Sequence, residues 1–150
     1  MKRINLGCGN RPMKDMINVD WDESCNPDIV ANLDEKLPFE DNSIDYVYSS
    51  HVIEHIKDVF HFMYEIWRIC KNGAKVDIIA PNCTDIYGSI MPDHVRFIRL
   101  RYFEYWEPKE KTINPTENYS KVTKGAIFNT IQEGTLDELR QLFFKLEVIK

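Results

Sequence analysis

The sequence has no closely spaced cysteine pairs, no long apolar run and no excess of positive charge. Its four cysteines, Cys8, Cys25, Cys70 and Cys83, are scattered. Without a Cys-x-x-Cys pair they suggest neither a disulfide framework nor a zinc knuckle. Three lie in or beside expected core elements, where a free thiol behaves as a small hydrophobe. No apolar run reaches membrane-spanning length. Met1-Lys2-Arg3 leads straight into a short strand with no apolar region behind it, so no signal peptide is expected. A reducing cytoplasm is the expected compartment, with no membrane partner. The formal net charge of −5 argues against broad electrostatic binding of nucleic acid. Arg96, Arg99 and Arg101 are close together, but they read as a solvated helix face. Internal repeats and low-complexity tracts are also missing.

What is present is ordinary for a folded protein. At 150 residues, 43% hydrophobic and 29% charged, the chain suits a single domain over 1–150 with one real core. Ile4-Asn5-Leu6 is a short apolar run that breaks at Gly7-Cys8-Gly9-Asn10. Ile17-Asn18-Val19 is a second run, ending in the carboxylate of Asp20. This order suits a strand, a tight turn where backbone approaches a ligand, and a second strand whose terminal Asp can hold a ribose. Pro12 leaves only Met13 to Met16 before the second strand, so the first crossover helix is a turn or two at most.

The remaining elements follow in order. Strands are expected over Lys2–Leu6, Ile17–Trp21, Asp28–Ala31, Ile44–Tyr48 and Lys75–Ala80. Val52, Ile56, Val59, Met63, Ile66 and Cys70 recur at helical spacing, which predicts a helix over 52–70 stopped by Asn72-Gly73. The aromatic stretch Asp93–Trp106 is expected to be helical in part, and Lys121–Ile131 suits a strand. Thr135, with Glu138 three residues on, predicts a helix over Thr135–Phe144, followed by a short last strand at Leu146–Ile149. The fold class is α/β: a mostly parallel central sheet flanked by helices, with a shortened first helix and a shortened C-terminal end.

Asn5-Leu6-Gly7-Cys8-Gly9-Asn10, Asn18-Val19-Asp20, Asn32-Leu33, Leu37-Pro38-Phe39 and Asp45 fall in a telling order. They continue with Ser49 to His55, Glu65-Ile66-Trp67-Arg68, Lys71-Asn72-Gly73 and Ile78 to Pro81. Over this half of the chain the sequence resembles the class I S-adenosylmethionine-dependent methyltransferases, in particular small bacterial and phage members with a Leu-Gly-Cys-Gly-Asn motif. The resemblance implies a Rossmann-like fold. It divides the chain into a cofactor half over about 1–81, a substrate-side segment over about 82–134, and a C-terminal helix and strand over about 135–150.

The resemblance also implies a site. Asn5, Gly7, Cys8 and Gly9 would form the turn under the methionine and ribose of S-adenosylmethionine, and Asp20 would bind the ribose hydroxyls, with Trp21 beside it. Asn32 and Leu33 would meet the adenine, where the family usually has Asp, with Asp34 as a substitute. Ser49, Ser50 and His51 would lie under the sulfonium. S-adenosylhomocysteine is the implied product, and the acceptor is a small molecule or sugar. His94, in Asp93-His94 with Phe97 following, is the best candidate for a substrate-side base, with His51 the second. His51, Glu54 and His55 have a spacing that could ligate a metal, but no third ligand is indicated and none is expected.

Two other readings compete. One is a non-catalytic cofactor-binding or regulatory module, suggested by the short first helix, Asn32 and the clipped end. The other, a nicotinamide-dependent oxidoreductase, fails because Pro12 stands where Gly-x-Gly-x-x-Gly needs its third glycine. A clipped C-terminus would also leave a sheet edge open to homodimer pairing.

Overall fold

The computed structural model describes residues 1–84, 90–108, 126–136 and 140–150. Among the described residues seven strands form one sheet: β1 (Arg3–Leu6), β2 (Ile17–Asp20), β3 (Ile29–Val30), β4 (Ile44–Ser50), β5 (Cys70–Pro81), β6 (Ile127–Leu136) and β7 (Gln141–Ile149). Their order is β3-β2-β1-β4-β5-β7-β6. β3, β2, β1, β4 and β5 run parallel, and β7 is antiparallel to both β5 and β6. Parallel strands buried on both faces need near-continuous apolar sequence. Ile4, Leu6, Val19, Val47, Val76 and Ile78 supply it, all at 1% exposure or less.

The β1–β2 connection contains no helix. Residues 13–16 make a turn in which the Met16 amide donates to the Met13 carbonyl at 3.2 Å. Asn18 takes over the helix's packing role. Its Oδ1 accepts from the Met13 amide at 2.7 Å and from Asn5 Nδ2 at 3.1 Å, while its Nδ2 donates to the Met13 and Met16 carbonyls and to Asp28. A buried amide that satisfies the connection's own backbone lets so short a crossover close.

The helix expected over 52–70 is shorter. α1 spans Val59–Ile69, capped by Asp58, whose carboxylate accepts from the His61 amide at 3.0 Å. Residues 52–58 are turns, yet Val52 and Ile56 remain buried. The apolar stripe was therefore a correct reading of burial and a wrong reading of helix length. α1 stops at Ile69, because Cys70 is already extended. Asn72-Gly73 is therefore no helix stop. Gly73, at φ +78°, sits in β5 where the register with β4 jumps from Ile44↔Cys70 to Tyr46↔Lys75.

Over Thr135–Phe144 the described residues form strand and turn in place of the expected helix. Thr135 and Leu136 end β6, and Gln141 begins β7, with Glu138 outside the described residues. Leu142, Phe144, Leu146 and Val148 are buried in alternation, the period of a strand. Their pairing with β5, Ala80↔Leu142 through Lys75↔Glu147, outweighs the local helix signal. β7 and β6 thus continue the sheet beyond β5, where the expected short last strand would have left β5 at or near the edge. The expected strand at 121–131 is observed from Ile127, and residues 121–125 lie outside the described part.

Between Asp93 and Trp106 the helical part is a single 3-10 turn, Tyr102–Trp106. Phe103 meets Phe144 edge to face at 4.7 Å, and Trp106 lies 5.2 Å from Phe60. Arg96 is not on a solvated helix face: its Nε donates to the Ile56 carbonyl at 3.2 Å. Arg68 on α1 holds the loop before β4. It pairs with Glu65 at 2.7 Å and Asp41 at 2.6 Å, and it donates to the carbonyls of Leu37 and Phe39. Burial pushes the Glu65 carboxyl up, but Arg68 and the Leu37 amide outweigh it and hold the group below the usual carboxylate range. No helix among the described residues is long and apolar enough to cross a membrane.

Candidate functional site

The parallel strands β1, β2 and β4 end side by side, and a cleft of about 760 Å³ opens at their C-terminal tips. This is where open α/β sheets bind ligands, and the volume suits a cofactor-sized molecule. Gly7, Gly9, Asp20, Trp21, Asn32, Leu33 and His51 all line it.

The turn after β1 depends on its glycines. Gly7 has φ +71°, and a Cβ there would lie 2.1 Å from Val52 Cγ2. The Gly7 and Cys8 amides donate to the Val19 carbonyl at 2.8 and 3.1 Å, and the Gly9 amide donates to Asp20 Oδ2 at 2.7 Å. A Cβ on Gly9 would meet nothing within 4 Å. The backbone at Gly9 is therefore open to the cleft.

Asp20 is buried, and its two oxygens each accept one amide, from Gly9 and from Asp22 at 3.0 Å. Each oxygen keeps acceptor capacity for a ligand hydroxyl. Trp21 is 74% exposed at the rim, unusual for so large an aromatic ring and suited to stacking. Asn32 spends its side chain locally, its Oδ1 accepting from the Asp34 amide and its Nδ2 donating to Glu35, both at 3.0 Å. Asp34 lines the cleft and accepts the Lys57 and Asp58 amides at 2.8 and 3.2 Å.

His51 stands at the tip of β4 with φ +56°, a left-handed conformation for a non-glycine residue, of the kind retained where surroundings over-determine it. Its amide donates to the Ile79 carbonyl at 2.9 Å, its Nε2 lies 2.9 Å from Gln141 Oε1, and its Nδ1 lies 3.3 Å from Glu54 Oε1. Glu54 raises the imidazole pKa above its ordinary value, against the effect of burial and with help from Gln141.

Asn5, Cys8, Ser49, Ser50 and His94 do not line the cleft. Asn5 is buried and serves Asn18. Cys8 is buried, and burial first and then Asp20 push its thiol pKa up. Ser49 lies within the sheet between Leu6 and Ile78, its buried Oγ without a hydrogen-bond partner among the described residues. Ser50 pairs with Ile79 in the sheet. His94 sits further out, its ring 5.1 Å from that of His55. Residues that sequence reasoning left out of the site but that line the cleft include Asp22, Cys25, Val52, His55, Ile56 and Lys57. Their signal was faint, because 52–57 read as a helix whose buried stripe faces the core.

Residues 6–78 match the pattern of the family described as methyltransferase domain. A demethylmenaquinone methyltransferase of Bacillus cytotoxicus is 32% identical over 73 residues, 49% of this chain and 28% of that protein. The chain thus spans little more than a quarter of the length of that curated relative. A SAM-dependent methyltransferase from Aquifex aeolicus superposes with a TM-score of 0.65 at 12% identity, over 99% of this chain and 82% of that one. The [4+2]-cyclase SpnF superposes with a TM-score of 0.69 at 10% identity, over 99% and 74%. The sheet order and these superpositions give the chain a Rossmann-like α/β fold, and its first half, over residues 6–78, is similar to a methyltransferase domain.

Proposed function

We propose that the chain binds S-adenosylmethionine in the cleft and transfers its methyl group to a small-molecule or sugar acceptor. The observation that carries this reading is the Gly7–Gly9 turn locked to Asp20 at the tips of β1 and β2. A turn pulled this close to a carboxylate leaves backbone and acceptor oxygens facing one ligand, with no side chain between. When bound, the cofactor supplies a methyl group on a cationic sulfur.

The chain's own residues do the rest. Asp20 accepts the ribose hydroxyls, and Trp21 offers an aromatic face at the rim. Because Asn32 closes its own turn, adenine recognition falls to the Leu33 backbone and Asp34. His51 is a cleft residue able to hold a proton taken from an acceptor hydroxyl. His94, the first candidate by sequence, lies outside the cleft lining and so becomes the second candidate for that role. Holding two reactants in line is worth about 7–11 kcal/mol of barrier, so positioning is the main demand on the protein.

Thermal shift with S-adenosylmethionine, S-adenosylhomocysteine and NAD is the first test. Stabilisation by the first two and not by NAD is expected, and no stabilisation by either sulfur ligand sinks the proposal. Mass-spectrometric detection of S-adenosylhomocysteine across an acceptor panel then separates an enzyme from a binding module. Binding without turnover on any acceptor would favour the module.

A further inference from the structure

Glu54 is fully buried, at 0% exposure, and among the described residues neither of its carboxylate oxygens has a hydrogen-bond partner. A buried carboxylate is costly unless a cation or several donors meet it. His51 approaches one oxygen, Oε1, at 3.3 Å, which leaves Oε2 unanswered. Two more imidazoles complete the surroundings. Ligand atoms of Glu54, His55 and His94 all lie within 4.8 Å of one another.

The backbone builds this cluster. The amides of Val95 and Arg96 donate to the Glu54 carbonyl at 2.8 and 3.2 Å. Arg96 also reaches back to the carbonyls of Ile56 and Lys57. These bonds clasp the segment carrying His94 onto the turn carrying Glu54 and His55, although the two are far apart in sequence. His55 is oriented from outside: its Nδ1 lies 3.1 Å from the Asp93 carbonyl oxygen and 3.5 Å from the Asp93 carboxylate. A ligating histidine typically gives its second ring nitrogen to such a partner, which fixes the tautomer and frees the other nitrogen for an ion.

We infer that Glu54, His55 and His94 form a site for a zinc-class divalent metal ion at the edge of the cleft. Two imidazoles and one carboxylate favour zinc and its transition-metal neighbours over magnesium or calcium, which prefer all-oxygen shells. An ion about 2.0–2.2 Å from each ligand requires the three ligand atoms to draw in from the 4.8 Å within which they lie. Three protein ligands leave a coordination position open to water or to an acceptor oxygen. His55 belongs to the cleft lining as well, so an ion here borders the space proposed for the reactants.

The test uses the full chain, stripped with chelator and free of S-adenosylmethionine, so that it stands or falls apart from the methyl-transfer reading. Zn²⁺ and Mg²⁺ are titrated separately by calorimetry, and Co²⁺ is added as a spectroscopic probe. One Zn²⁺ per chain is expected, with a raised melting temperature, little response to Mg²⁺, and a Co²⁺ visible spectrum without a thiolate charge-transfer band. Glu54→Gln and His94→Ala should each weaken Zn²⁺ binding by about 10–100-fold or more, at least the loss seen when outer partners are removed. Far-UV circular dichroism confirms that each variant is folded. Because Glu54 is buried, the half-exposed His94 carries the test if the Glu54 variant fails to fold. Failure of the folded wild type to bind Zn²⁺ overturns the inference. So does undiminished binding in His94→Ala, or a thiolate band that places the ion on cysteines.

Discussion

A methyl group added at Gly7 probes the turn that the cleft is built on. Gly7→Ala meets two separate costs. Its φ of +71° is left-handed, which costs an alanine about 1–2 kcal/mol. The new Cβ would also lie 2.1 Å from Val52 Cγ2, and overpacking of this kind costs about 1–3 kcal/mol. Together they amount to about 2–5 kcal/mol, a large part of the 5–15 kcal/mol typical of a domain. In urea, with a slope of about 2 kcal/mol per molar, the midpoint should fall by about 1–2.5 M. The two costs can be told apart with Val52→Ala, which removes the clashing methyl and leaves φ as it is. The double-mutant cycle should therefore show a favourable coupling of about 1–3 kcal/mol, while a residual backbone cost persists in the double variant. A Gly7→Ala protein as stable as the wild type, or a cycle with no coupling, would refute the packing of Val52 over the turn.

The other consequences concern a buried ion pair and the ribose carboxylate. Arg68→Met strands the buried Glu65 carboxylate and should cost about 3–5 kcal/mol at neutral pH, read by urea denaturation. Glu65 and Asp41 are both held below the usual carboxylate range, so their contribution is fully present above the unfolded values near pH 4 and is lost as pH falls through the lower folded values. The wild type should therefore lose stability steeply below about pH 4, whereas Arg68→Met has a shallower acid limb; parallel acid limbs would count against the pairing. Asp20→Asn turns one acceptor oxygen into an amide donor facing the Gly9 or Asp22 amide, and should cost about 1.5–3 kcal/mol of stability. It should also lower S-adenosylhomocysteine affinity about tenfold or more, the effect of about 1.4 kcal/mol; unchanged affinity by calorimetry would remove Asp20 from the ribose role.

What the sequence made legible was whatever local chemistry decides. Gly7, Gly9 and Asp20 could be read because left-handed backbone and a strand-end carboxylate each leave a residue signature. The five parallel strands could be read from their apolar runs. The C-terminal hairpin could not, because Thr135 with Glu138 mimics a capping box. The alternation of Leu142, Phe144, Leu146 and Val148 is decided only by the neighbouring β5, so tertiary pairing overrides the local preference. Val52 and Ile56 were legible as buried but not as turn, because Asp58 caps the helix later than the stripe begins. The meeting of His94 with Glu54 and His55 was invisible at the sequence level. It rests on two backbone hydrogen bonds between distant segments, and spacing cannot report those.

The central claim is that the cleft over Gly7, Gly9 and Asp20 is the cofactor site. Calorimetric titration of S-adenosylhomocysteine into the wild type and into Asp20→Asn tests it most directly. Saturable one-to-one binding that weakens in the variant, with no heat from NAD, is the predicted result. Absence of binding by the folded wild type, or equal binding of NAD, would contradict the claim.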